Sequence, residues 1–371
     1  MHTLGTLDEL PPDYRQALRE RNLVPLWPSL RALLPPQRPA QRTRPTHWAY
    51  RDIRPLLLCA GELTPIDKAE RRVLVLANPG HGLEAMQASA AIYLGMQLLL
   101  PGEWAPSHRH TPNAVRMVVE GTGAWTTVEG ERCPMARGDL ILTPTGLWHE
   151  HGHDGTDPVV WLDVLDLPLV YHLEASYHEN GTRQTPRPQH GERQHVRAGV
   201  RPQPLFEPPE GLAARYPLLR YPWAEVRAAL RALADELPAQ AAAQVTYVNP
   251  VTGADAENIL GFHALMLRPG QTLALPARSP ALVLHQIEGG TEVHVEAPPG
   301  AAFATMTHAL DEADTCAIPG YTPLVLVNRS ATEASYLFLA DESPLHRKLG
   351  LYEVRPDPAQ PMLGQLAAGL P

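Results

Sequence analysis

Residues 101–121, PGEWAPSHRHTPNAVRMVVEG, and residues 138–153, GDLILTPTGLWHEHGH, set closely spaced histidines in apolar, β-rich surroundings. Side chains at i and i+2 of an extended strand leave the same face, so His108 and His110 converge while Arg109 points away. His149 follows LILTPTGLW, whose apolar run and Pro-Thr-Gly turn predict a neighbouring strand. Three imidazoles from two adjacent strands predict a facial metal site suited to Zn, Cu, Ni or Fe(II), with positions left open for substrate and water.

The same pattern resembles the two motifs of the cupin family. Gly102, His108, His110 and Gly121 fit the first motif, and Gly138, Pro144, Gly146 and His149 fit the second. Where the first motif usually carries a glutamate ligand, this chain has Ala114. The ligand set is then three neutral imidazoles, which favours a bidentate anionic substrate that brings the missing negative charge.

At 371 residues, with 44% hydrophobic residues, the chain is long enough for two packed cores. A net charge of −9 without any Lys/Arg-rich run argues against nucleic-acid binding. The three cysteines, Cys59, Cys133 and Cys316, lack CxxC spacing, so neither a disulfide framework nor a thiolate zinc site is expected, and a reducing cytoplasm fits. No apolar run is long enough to span a bilayer, and the start of the chain has no secretory h-region.

Working outward, residues 1–80 read as a helical arm, broken by prolines, and a wrapping segment; Trp48 and the leucines near it are packing residues. Residues 81–175 form the first barrel, with the metal site. Residues 176–245 form a polar linker with solvated histidines, then an amphipathic helix carrying Val226, Leu230 and Leu233 on one face. Residues 246–356 form a second barrel, and 357–371 a tail. An internal repeat supports the second barrel: Gly102 to Glu120-Gly121 has the spacing of Gly270 to Glu288-Gly289, and Asp139 to Pro144 that of Asp314 to Pro319. At the ligand offsets, His108, His110 and His149 become Pro276, Arg278 and Leu324, so the second copy keeps the scaffold without the chemistry. The fold class is therefore an all-β core of two cupin (double-stranded β-helix, jelly-roll) barrels with N-terminal and inter-domain helices.

Residues 108–155 followed by PVVWLDVLDLPLV resemble the bicupin ring-cleaving dioxygenases acting on gentisate and its relatives. RNLVPLWPSL (21–30), RYPWAEVRAALRALA (220–234), YVNPVTG (247–253) and LGLYE (349–353) extend the resemblance over most of the chain. It implies one Fe(II) per chain, O2 as co-substrate, no organic cofactor, a homotetramer, and a small aromatic 2-hydroxy acid as substrate. Both oxygens enter between the carboxyl- and hydroxyl-bearing carbons. Gentisate, giving maleylpyruvate, ranks first, salicylate second and 1-hydroxy-2-naphthoate third.

The resemblance assigns Arg72, Tyr93, Gln97, Arg116, His151 and Asp163 to the substrate pocket and its surroundings. Arg116, eight residues after His108, shares its strand face if extension is unbroken and can fork onto the substrate carboxylate. His151, two residues past His149, points inward and is placed for acid/base work or hydrogen bonding at the ring oxygens. Asp163 lies in an apolar strand and needs a partner, read as Arg72 or His151. Tyr93 stands where relatives often carry tryptophan, Gly146 where a bulky aromatic is common, and His153 where asparagine is usual; a bare Gly146 would widen the pocket. The rival reading is a non-catalytic cupin that binds an aromatic acid, and a third is a metal-dependent isomerase on the same barrel.

Overall fold

The structure, a computed structural model, describes residues 4–36, 38–186 and 215–355. Up to Arg42 the chain forms a compact unit of its own. Its described part holds helices α1 (Pro12–Glu20), opened by a proline at its first position, and α2 (Leu30–Leu33).

From Thr43 the chain runs through β1 (Thr46–Trp48), α3 (Tyr50–Leu63) and α4 (Ile66–Ala69) into a first sandwich. Its strands are β2 (Arg72–Val75), β3 (Tyr93–Leu99), β4 (Trp104–His110), β5 (Ala114–Glu120), β6 (Thr122–Val128), β7 (Glu131–Ala136), β8 (Leu140–Thr143), β9 (His149–His153) and β10 (Val159–Leu165). After α5 (Leu167–His172) come β11 (His178–Asn180), β12 (Arg220–Tyr221) and α6 (Trp223–Glu236). One sheet has the order β12-β8-β5-β10-β3-β2, and the facing one β11-β4-β9-β6-β7. The central strands β5 and β10 are buried on both faces, which is why they read as nearly continuous apolar runs.

The second sandwich uses β13 (Ala243–Thr246), β14 (Gly261–Leu267), β15 (Thr272–Leu275), β16 (Ala277–Arg278), β17 (Leu282–Glu288), β18 (Thr291–Val295), β19 (Met306–Leu310), β20 (Thr315–Ile318), β21 (Leu324–Asn328) and β22 (Ser335–Asp341). Its sheets run β1-β20-β17-β22-β14-β13 and β15-β21-β18-β19. An aliphatic cluster that includes Leu265, Leu284, Val293, Leu310, Leu324, Leu337 and Leu339 fills its interior.

Each sandwich borrows an edge strand. β1 precedes the first sandwich but pairs with β20 of the second, while β12 precedes the second but pairs with β8 of the first. The helix after each strand then packs on the sandwich that follows it, α3 on β2 and β3, α6 on β13 and β14. The junction residues repeat the same bonds. Tyr50 N donates to Asp314 (2.7 Å) and its hydroxyl to Glu120 (2.7 Å); Trp223 N donates to Asp139 (2.8 Å) and its indole to Glu288 (2.6 Å). One helical turn later, Arg54 forks onto Glu120 and Arg227 pairs with Glu288 (2.9 Å).

Within the linker read as irregular, His178–Asn180 is instead a strand edge-paired with β4. The linker histidines His190 and His195, and the tail at 357–371, lie outside the described residues.

Candidate metal centre

β4 and β9 run antiparallel with His108 opposite His149. The ligand atoms of His108, His110 and His149 all lie within 4.8 Å of one another. Ring centroids stand 4.1 Å (His108–His149), 4.7 Å (His110–His149) and 5.6 Å (His108–His110) apart. Nδ1 of each ring faces a backbone carbonyl: His108 to Pro106 at 2.9 Å, His110 to Pro112 at 2.7 Å, His149 to Leu147 at 2.9 Å. A carbonyl only accepts, so each Nδ1 carries the proton and each Nε2 keeps its lone pair. His149 Nε2 is buried without a protein partner. Burial pushes His108 down to about 2, His110 to about 4 and His149 well below its ordinary value, so these rings stay neutral and ready to ligate. This donor set fits a divalent transition ion.

His151 reaches the same cavity from β9. Its centroid is 5.9 Å from that of His149 and 5.4 Å from that of Trp161 in the facing sheet. Its Nε2 is also buried without a partner.

Arg116 does not share a strand with His108. The chain turns at residues 111–113, where Asn113 N and Nδ2 donate to Asp166 at 2.8 and 2.9 Å, and β5 starts afresh in the facing sheet. The expected unbroken extension is therefore wrong, and the guanidinium comes to the cavity from the opposite wall. There it stands 3.3 Å from Asp163, its cross-strand neighbour, and donates to Thr143, whose hydroxyl donates on to Ala114 O at 3.1 Å. Asp163 also accepts from the Trp161 indole at 3.1 Å. The expected partners of Asp163, Arg72 or His151, are thus corrected to Arg116 and Trp161. Burial pushes the Asp163 carboxyl up to about 6, against the pull of Arg116, and brings Arg116 down to about 10.

Gln97 lies opposite Trp161 and so on the same face; it is 1% exposed, and its amide nitrogen has no partner. Tyr93 closes that wall beside Gly95, where an added Cβ would meet Val73 Cγ1 at 2.5 Å and the Tyr93 hydroxyl at 2.8 Å. Burial raises the Tyr93 phenol well above its ordinary value.

Arg72 is not in the cavity. It pairs with Leu98, on the other face of the sheet, and forms an ion pair with Glu103 beneath α3. A step of one residue along a strand flips the side chain to the opposite face. Arg71 has the inward parity, and its charge acts on His108, Asp163 and Tyr93. Sequence reading missed it, because the inward parity follows from the pairing of Val73 with Gln97, which no local pattern shows. Gly146 has φ +72 and donates its N–H to His110 O at 2.9 Å, so the turn itself calls for glycine there. His153 is bonded at both nitrogens, to Asp157 O (2.6 Å) and Gly155 N (3.0 Å), away from the triad.

Residues 95–165 match the family model described as a Cupin domain. The chain is 68% identical over 354 residues to a gentisate 1,2-dioxygenase of Ralstonia sp., covering 95% of this chain and 97% of that one. It is 34% identical to a gentisate 1,2-dioxygenase of Streptomyces sp., over 93% and 94% of the two lengths. It is also similar to the crystal structure of salicylate 1,2-dioxygenase from Pseudoaminobacter salicylatoxidans as adducts with gentisate, with a TM-score of 0.82 and 32% identity over 95% of this chain and 96% of that one.

Proposed function

We infer the activity from one premise, that the chain belongs to the gentisate 1,2-dioxygenase family and is an oxidoreductase of the ring-cleaving dioxygenase type. The reaction is gentisate plus O2 giving maleylpyruvate, both oxygen atoms entering between the carboxyl-bearing and hydroxyl-bearing carbons. The observation that carries this reading is the triad of His108, His110 and His149, three carbonyl-locked imidazoles whose ligand atoms lie within 4.8 Å of one another. These residues would hold one Fe(II) per chain, which when bound supplies the redox chemistry between ring and O2.

The chain's own residues bind and orient the substrate. Arg116, held by Asp163 and Thr143, takes the carboxylate in a charge-assisted fork. His151 hydrogen-bonds a substrate oxygen, and Gln97, Tyr93 and Arg71 line the far wall. Trp161, fully buried, excludes water behind His151. We propose that the second sandwich serves as scaffold, that the enzyme works as a cytoplasmic homotetramer, and that salicylate is the second substrate to test, since the relative named for it is crystallised as adducts with gentisate.

Oxygen-electrode measurements on Fe(II)-reconstituted protein test the reading with gentisate, salicylate and 1-hydroxy-2-naphthoate. The expected result is stoichiometric O2 uptake, fastest with gentisate. No uptake with any of the three at full iron occupancy overturns it.

A further inference from the structure

Four imidazoles face the cavity, and the atom behind the fourth differs in kind from the other three. His108, His110 and His149 set Nδ1 against carbonyl oxygens, whereas His151 sets Nδ1 against the hydroxyl of Thr126 at 2.9 Å. Thr126 lies opposite His151 in the β6–β9 pairing and is completely buried. A hydroxyl, unlike a carbonyl, can donate. Among the described residues that ring nitrogen is the hydroxyl's one hydrogen-bond partner. If Nδ1 carried the proton, the Thr126 hydroxyl hydrogen would be buried with no acceptor, at the cost of an unmade bond. If Thr126 donates, Nδ1 accepts, and the neutral ring must carry its proton on Nε2.

We infer that Thr126 is a positioning residue that fixes His151 in the Nε2–H form, so that the fourth imidazole presents a hydrogen-bond donor to an anionic substrate oxygen while the other three present lone pairs. The two tautomers are equally neutral, so the choice involves no change of charge. It also accounts for two rings on one strand serving different ends. His149 and His151 leave the same face of β9, yet His151 in this form has no lone pair at Nε2 with which to ligate, and that buried N–H awaits an acceptor. The substrate class, an oxyanion-bearing aromatic acid, rests on the function proposed above; the tautomer does not.

The test uses full-length protein with 15N-labelled histidine, without metal or substrate, and reads which ring nitrogen of His151 is protonated from two-bond 15N–1H correlations, assigned with His151→Ala. The expected spectrum has Nε2–H on His151 and Nδ1–H on His108, His110 and His149. Thr126→Val, which keeps the shape and removes the hydroxyl, releases His151 to a mixture of tautomers, and Thr126→Ser restores the single form. In the iron-loaded enzyme Thr126→Val lowers kcat about tenfold with KM changed less than about twofold, and Thr126→Ser recovers most of the loss. A purely packing role for Thr126 would leave the tautomer alone and make Thr126→Ser the worse variant. Nδ1–H on His151 in the parent protein, or wild-type tautomer and kcat in Thr126→Val, overturns the inference. Failure of the iron-loaded enzyme to consume O2 with gentisate, salicylate and 1-hydroxy-2-naphthoate alike would overturn the proposed function and leave the tautomer result standing.

Discussion

In the first sandwich Arg116 lies opposite Asp163 and Gln97 opposite Trp161; in the second, at the matching register, Leu284 lies opposite Leu339 and Leu265 opposite Leu337. All four leucines belong to the aliphatic cluster that fills the second interior. The turns around them are shared: Gly102 and Gly121 have φ +77 and +88, Gly270 and Gly289 φ +64 and +80. Asp139 and Asp314 accept equivalent backbone bonds, and Glu120 and Glu288 equivalent side-chain clasps. The difference teaches where each kind of constraint sits. A turn glycine answers to the backbone and a clasp carboxylate to the partner sandwich, so both are needed whatever the interior holds. An inward polar side chain answers only to a ligand, and without one, leucines that leave no buried polar group unpaired are the stable filling.

The comparison breaks most decisively at the metal. About one iron per chain is expected, all of it in the first sandwich, because three ligating nitrogens converge only there among the described residues. His108→Ala combined with His149→Ala should abolish both iron retention and O2 uptake, while Arg278→Ala, at the second-sandwich offset of His110, should leave iron content unchanged. Two metals per chain by elemental analysis would end the distinction.

Next in size is Arg116→Lys, assayed at matched iron occupancy. An ammonium cannot reproduce the fork, and a hydrogen bond to a charged group contributes roughly 1.5–3 kcal/mol, so kcat/KM should fall about ten- to more than a hundredfold. Unchanged kinetics would place Arg116 outside the substrate site. Arg71→Gln should act in the same direction but less, about three- to tenfold in kcat/KM, since Arg71 keeps some exposure to solvent and, among the described residues, makes no hydrogen bond to the triad. A larger effect than that of Arg116→Lys would reverse their order of importance.

The smallest effect sharpens the likeness rather than the difference. Glu120→Gln and Glu288→Gln remove equivalent, partly exposed clasps, and each should cost about 1 kcal/mol in urea unfolding. A loss at one position without the other would show that the junction is not balanced.

The triad was legible because HxH on a strand puts both rings on one face whatever the rest of the chain does. The repeat was legible because glycine and Glu-Gly positions mark turns. The strand-parity argument for Arg116 fails, because Thr111, Pro112 and Asn113 turn the chain to the facing sheet; the residue still faces the triad, since two strands of a sandwich reach one interior as readily as one long strand would. Arg72 rests on the family resemblance alone, which carries no parity; at the short edge strand β2 parity is set by pairing with β3 and by the cover of α3, neither of which is local information. The partnership of Glu120 with Tyr50 and Arg54 spans 66–70 residues, and that of Glu288 with Trp223 spans 65, beyond the reach of any spacing rule.

The crossed edge strands have a consequence for what the chain can lose. A cut between the halves would leave each fragment holding a strand that completes the other, and each sheet would be left with an open edge on β8 or β20. The second half stands without ligands, with Pro276, Arg278 and Leu324 at their offsets, but deleting that half would strand β1 without β20 and Tyr50 without Asp314. The half that carries the triad is expected to need the other to fold. A module spliced from residues 81–175, attractive as a minimal enzyme, would lack β2, β12 and both helices of the junction, and the piece to transplant into another protein is the whole interlaced pair.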